Sequence, residues 1–221
     1  MRTSRPEVRP SHRRVPRDRT RPHALRGLVI ASVALVVTAL SALPGGISPF
    51  EEDVFDVVNH LPDGLAVALW MPMQAGAGAA PFVLAALAFA LWRRLRPAVD
   101  LAVAGGVAYL LAKMVKQWRG RGRPSAFLDD VQFHGEPPPG HEPGLGFPSG
   151  HTAVAFAIAV VVMPYLSVRW RLAVAFVAVV VAVARLFFGA HLPLDTFGGA
   201  ALGVAIGACV HLLMDLVTHR H

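Results

Sequence analysis

Eight polar residues in the second half of this chain have the types and spacing to handle a phosphoryl group. They are Lys116 and Arg123; Ser149, Gly150 and His151; Arg185; and His191 with Asp195. A transferring phosphoryl group carries charge on its equatorial oxygens, so fixed cations and N–H donors stabilise its transition state. Lys116, Arg123 and Arg185 supply positive charge, and an arginine fork can hold two oxygens at once. Ser149 and the Gly150 amide add donors. Two histidines permit a nucleophile and a general acid on opposite sides of phosphorus. Asp195 follows His191 by four residues, one helical turn, so its carboxylate can accept from one ring nitrogen and fix the tautomer.

Each of these features also has a plainer use. Pro148-Ser149-Gly150-His151 sits where a Pro/Gly-rich, acidic loop turns into an apolar helix. Such a junction attracts anions through the unpartnered N–H groups of the first turn, but an ordinary helix cap has the same composition. Arg185 lies beside Phe187 and Phe188 at membrane depth, where a cation costs about 2.5–3.5 kcal/mol. It either pairs with an anion or snorkels to the interface. Two histidines and an aspartate could also serve a metal. No His-x-x-x-His pair, acidic cluster or cysteine accompanies them, and the nearby cations oppose metal binding, so neither a metal nor another cofactor is expected.

The elements that must position these groups are transmembrane helices. The 221 residues are 54% hydrophobic and 16% charged, well below the roughly 25% charged of a soluble domain. Several apolar runs approach the ~20 residues that span a bilayer as helix. The fold class expected is all-α, a polytopic membrane protein with six transmembrane helices. The spans fall at about 27–43, within 65–92, at 98–115, 152–166, 172–188, and from about 194 to 217. The single Cys209 allows no internal disulfide. Residues 1–26 hold nine arginines and no apolar periodicity. They read as a basic, disordered tail near anionic headgroups, with a cleaved signal peptide as the rival reading. Residues 27–217 form one membrane domain, and 218–221 a short C-terminal tail.

Arginines in the tail, at 93–96 and at 169–171 put both termini and those loops in the cytoplasm. The net charge of +7 therefore marks topology rather than a nucleic-acid partner. Segment 51–63 has five acids and no Lys or Arg. Val54, Val57, Val58 and Leu61 at helical spacing make it either an interfacial amphipathic helix or a solvated connector. The cluster Lys113, Lys116, Arg119, Arg121 and Arg123 lands on the outer side, against the charge rule, and so points to a bound anion. The eight polar residues share that outer face. Gly199, Gly203 and Gly207 let the sixth span approach another helix closely, in this bundle or in a homo-oligomer. The other histidines (His12, His23, His60, His134, His141, His211, His219 and His221) have loop, tail or packing readings.

The order Lys116, six residues, Arg123-Pro124; Pro148-Ser149-Gly150-His151; Arg185, five residues, His191, three residues, Asp195 resembles the three-part signature of the type-2 phosphatidic acid phosphatase superfamily. The motifs cover residues 116–195. Vanadium haloperoxidases share this pocket, but six spans and a short loop fit a lipid substrate better. The resemblance implies a metal-independent phosphatase acting on a lipid phosphate or diphosphate at the extracytoplasmic face of the plasma membrane. It implies that His191 attacks phosphorus, that Asp195 holds it, and that His151 protonates the leaving oxygen and then activates water. Lys116, Arg123, Ser149, Gly150 and Arg185 would cradle the phosphate. The family usually has serine where this chain has Ala184. A phosphotransferase and a non-catalytic lipid-phosphate binder or transporter are the alternatives. Binding alone, however, does not require a pair of histidines. The loop 125–147 and the 51–74 segment are expected to form the entrance and set specificity.

Overall fold

The computed structural model describes residues 20–42, 46–93, 95–134 and 144–218. The tail expected over 1–26 lies outside the described residues up to residue 19, as do the last three residues of the expected C-terminal tail. Among the described residues eight α-helices make the architecture. They are α1 (Thr20–Ser41), α2 (Pro49–Asn59), α3 (Ala66–Met73), α4 (Ala80–Trp92), α5 (Leu95–Arg119), α6 (Gly150–Val162), α7 (Val168–Phe187) and α8 (Pro193–Thr218). The first helix starts seven residues before the expected span boundary at 27.

Among the described residues four stretches are long and apolar enough to cross a membrane: Pro22–Ser41, Leu95–Arg119, Val168–Phe187 and Pro193–Met214. The pair Asp63–Gly76 and Ala80–Leu91, bent by 75°, is apolar enough to be a fifth, either as a broken span or as a re-entrant loop. The shorter apolar helix Gly150–Tyr165 completes a set consistent with six spans. The bend follows from the sequence that blurred this span. Pro72 lies inside α3, and Pro81 opens α4. A Cβ at Gly78 would stand 2.9 Å from the Tyr109 ring, and one at Gly105 on α5 would run into Pro81. The break thus lies close against α5.

The bundle is held mainly by small residues. Ala104, Ala108 and Ala112 of α5 meet Ala153, Ala157 and Val161 of α6 and Leu202, Ile206 and Val210 of α8. The glycine stripe of α8 faces α6 of the same chain. Added Cβ atoms would meet the Ser149 carbonyl oxygen at Gly199, the Ala153 carbonyl oxygen at Gly203 and Val160 at Gly207. That contact uses the stripe for packing within the bundle. Along α1, Val29, Ile30, Val33 and Leu40 stay exposed, as lipid-facing side chains do. Trp70, Trp118 and Trp170 are exposed near helix ends, suiting an interfacial belt.

Segment α2 departs from the face expected of it. Ser48 caps it, accepting from the Glu51 amide at 3.3 Å. Its buried residues are Glu51, Phe55 and Asn59, spaced four apart, while Val57 is exposed. Valine spacing alone could not reveal that two polar side chains face the bundle, because their partners come from distant segments.

Candidate phosphate-binding site

The three motif segments meet at one end of the bundle, joined by backbone hydrogen bonds. Gly122 and Leu145 form an isolated antiparallel bridge, and the Gly146 amide donates to the Arg121 carbonyl at 2.7 Å. The Ser149 amide donates to the Asp195 carbonyl at 2.8 Å. Gly146 has no room for a side chain, since a Cβ there would stand 2.7 Å from Asp195 Oδ2 and 2.6 Å from the Gly122 carbonyl oxygen.

A cavity of about 340 Å³ opens between these segments. Six of the eight expected residues line it: Lys116, Arg123, Gly150, His151, Arg185 and His191. Ser149 and Asp195 are fully buried and do not reach the lining. Lys113 also lines the cavity, its Nζ lying 5.1 Å from the Tyr109 ring centroid. Four cations and two histidines thus surround the space, and no Asp or Glu is among its lining residues.

Lys116 Nζ donates to the Leu145 carbonyl at 3.1 Å. Arg185, in the last turn of α7, donates only weakly, from Nη1 to Met73 Sδ at 3.3 Å. The Nε atoms of Arg123 and Arg185 are buried without a hydrogen-bond partner among the described residues. Buried guanidinium groups need acceptors. Here the oxygens of an anion in the cavity can supply them.

Gly150 and His151 open α6, directing its dipole and free amides toward the same space. Ser149 is the N-cap by position, yet its side chain makes no capping hydrogen bond. It accepts instead from Thr152 Oγ1 at 3.0 Å. The ordinary-cap reading therefore fails at this junction. A Cβ on Gly150 would find only Ala112 Cβ, at 3.9 Å, so the Cα of this lining residue faces open space.

His191 lies in the turn before α8, so it and Asp195 do not share a helical turn as their spacing suggested. They meet across the turn, with His191 Nδ1 3.5 Å from Asp195 Oδ2. At that distance the pair makes no hydrogen bond, and Nδ1 has no other partner among the described residues. Burial, then Lys116, Arg185, Arg123 and His151, hold the His191 pKa well below 6.5. That direction favours the neutral imidazole, the form whose lone pair is available.

The remaining cluster cations have separate partners. Arg119 donates to the Ala39 and Ala42 carbonyls at 2.5 and 2.9 Å, satisfying the end of α1. Arg121 is fully buried between Glu51 and Asp195, at 2.8 and 3.0 Å. The turn carrying His191 is held by Asn59, whose Nδ2 donates to the Phe187 and Gln132 carbonyls at 2.8 Å each. His134 is buried rather than a solvated loop residue. It stacks on Phe187 at 3.8 Å, and its Nε2 and Nδ1 lie 2.6 Å from the Asn59 carbonyl and from Asp63 Oδ1. Sequence reasoning missed these supports. Only Lys113 carried a usable signal, since it precedes Lys116 by three residues on one helix face. Of the expected entrance, Leu145 lines the cavity, as do Gly76 and Gly78 just past the 51–74 segment. Residues 135–143 lie outside the described residues. Among the described residues, no group of three or more His, Cys, Asp or Glu side chains is placed to hold a metal ion.

Similar sequences include proteins that are lipid phosphatases by name. The chain is 36% identical over 114 residues to a lipid A 1-phosphatase of Rhizobium johnstonii, an alignment covering 50% of this chain and 43% of that protein. It is 31% identical over 111 residues to phosphatidylglycerophosphatase B of Bacillus subtilis, covering 46% and 50%. The chain thus matches half or less of the length of these relatives. The fold is similar to the crystal structure of Aquifex aeolicus LpxE, with a TM-score of 0.69 and 24% identity over 77% of this chain and 99% of that one. It is equally similar to a transmembrane PAP2-type phosphatidylglycerolphosphate phosphatase from Bacillus subtilis, with a TM-score of 0.69 and 20% identity over 86% and 96%. The family profile of the PAP2 superfamily matches residues 97–218, more than half of the chain and all of the cavity's charged groups, and the chain belongs to that superfamily.

Proposed function

We propose that this protein is an integral-membrane lipid phosphatase that releases phosphate from a lipid phosphomonoester or diphosphate through a phosphohistidine. The observation that carries the reading is the cavity itself, with four cations and two histidines on its wall and no carboxylate among the described lining residues. Such a space is built for a dianion whose charge is redistributed in reaction, rather than for a metal or a cationic ligand. The family's membership and the names of its relatives support lipid phosphates as the substrate class.

In the proposed reaction the His191 lone pair forms a bond to phosphorus. The bond from phosphorus to the lipid oxygen breaks with its electron pair on that oxygen, which His151 protonates. His151 then takes a proton from water as the water oxygen attacks phosphorus. The phosphorus–nitrogen bond breaks back onto His191, and inorganic phosphate leaves. Lys116, Arg123 and Arg185 hold the equatorial oxygens, with the Gly150 amide as a further donor and Ser149 beneath it. Asp195 steadies the positive charge that develops on His191. The basic loops support a site on the extracytoplasmic face of the plasma membrane, where a lipid tail can stay in the bilayer.

The test is phosphate release by purified protein across a panel of lipid phosphates: polyprenyl diphosphate, phosphatidate, phosphatidylglycerol phosphate and diacylglycerol diphosphate. The His191→Ala protein is the control. Release from at least one lipid that vanishes in the control supports the proposal. No release from any, or equal release by both proteins, removes it.

A further inference from the structure

We infer that Glu51 and Arg121 are positioning residues for the nucleophile, forming a buried relay from helix α2 through Asp195 to His191. This inference rests on the proposed phosphohistidine chemistry and adds two residues that the motif pattern does not specify: Arg121, among the six unspecified residues of the first motif, and Glu51, outside all three. Arg121 is completely buried and spends its fork on two carboxylates. Nη2 donates to Glu51 Oε2 at 2.8 Å, and Nη1 donates to Asp195 Oδ1 at 3.0 Å. The second oxygen of Asp195 accepts from the Leu192 amide at 3.0 Å and faces His191 Nδ1. The second oxygen of Glu51 accepts from the Leu194 amide, in the first turn of α8, at 3.2 Å. Both carboxylates are thus fixed at both oxygens, and the plane of Asp195 is set by Arg121 on one side and the turn before α8 on the other.

Charge explains why two carboxylates are present. Arg121 bound to Asp195 alone would draw that carboxylate's charge away from His191. Glu51 offsets the guanidinium, so Asp195 keeps negative charge for the imidazole as the phosphorus–nitrogen bond forms. A buried glutamate is otherwise hard to rationalise, because an unpaired carboxylate in such a place is strongly destabilising. Neither Glu51 nor Arg121 lines the cavity, so neither touches substrate. Their effect is on the chemical step. Several charged groups face His191 from the surrounding elements: Lys116 from α5, Arg123 from the following loop, His151 from α6, Arg185 from α7 and Asp195 from α8. Glu51 adds the one further negative charge, through Arg121.

The experiment compares full-length wild type with Glu51→Gln, Arg121→Lys, Arg121→Met and His191→Ala, all purified in the same detergent. It measures kcat, KM and pH profile on the best lipid phosphate, together with the melting temperature. Glu51→Gln loses the charge and leaves one acceptor oxygen for two donors, Arg121 Nη2 and the Leu194 amide. Its kcat should fall about tenfold or more, with KM within about threefold, as for other residues that orient a reacting group. Its acid limb should move to lower pH, since losing a negative charge disfavours the imidazolium. Arg121→Lys should retain more kcat than Arg121→Met, because it keeps a cation between the carboxylates. Wild-type kcat in Glu51→Gln, with His191→Ala inactive, overturns the relay while leaving the phosphohistidine reading intact. Loss of kcat only in proportion to lost folded protein, with an unmoved acid limb, also overturns the relay and marks a structural role. Full activity in His191→Ala overturns both.

Discussion

Replacing Arg185 with methionine should make the empty protein more stable and the enzyme far slower. Among the described residues Arg185 Nη1 reaches only a thioether sulfur and its buried Nε has no partner, and it shares the cavity with Lys113, Lys116 and Arg123. The half-buried cation is incompletely desolvated, so the gain is put at about 1–3 kcal/mol, within the range seen when buried charges are replaced by apolar side chains. For a protein of this length each kcal/mol moves the melting temperature by about 2–4 °C. A saturating anion should reverse the order. Ligand at a hundred times its Kd stabilises the wild type by about 2.7 kcal/mol, and the variant should gain much less. Loss of one charge aimed at the transferring group should lower kcat/KM by about 10²–10³. The assay is thermal unfolding in detergent with and without orthovanadate, paired with phosphate release. A variant less stable than wild type without anion, and equally stabilised by vanadate, would refute the view that Arg185 is held strained for a ligand.

Other outcomes test separate parts of the account. The acid limb of kcat/KM should lie below pH 6.5, because burial and the neighbouring cations lower the His191 pKa. The same shift means that stability drains as pH falls below 6.5, where the unfolded chain takes up the proton first; acid unfolding curves check the sign. Chelation with EDTA should leave phosphate release unchanged in a direct rate assay. Gly203→Ala should lower the melting temperature, since its Cβ would meet the Ala153 carbonyl oxygen and stand 2.9 Å from the Ala157 amide nitrogen. Overpacking of that kind costs about 1–3 kcal/mol. Gly27→Ala is the control, because a Cβ there meets nothing within 4 Å.

The cavity was legible in the sequence because its chemistry is carried by residue types that apolar helices otherwise exclude. Lys116, His151, Arg185 and His191 stand out among valines and alanines, and alternating spans bring them to one face. What supports them was not legible. Glu51 and Asn59 look like solvated positions of an acidic connector, yet they bind Arg121 and the end of α7 across 70 and 128 residues of chain. No local pattern encodes a partner so distant. His134 does lie in a loop, but its burial under Phe187 depends on how that loop folds back, which no local pattern encodes. The bend between α3 and α4 was half legible. Prolines and glycines marked an interruption, but its angle comes from packing against α5.

The central claim is that His191 carries the phosphoryl group. The direct measurement is an acid- and alkali-quenched single turnover with a lipid labelled in its terminal phosphate, followed by mass mapping of the trapped label. The account requires an acid-labile, alkali-stable phosphate on His191, formed and lost at rates compatible with kcat and absent from His191→Ala. Steady turnover with no label on His191, or label on another side chain, would contradict it.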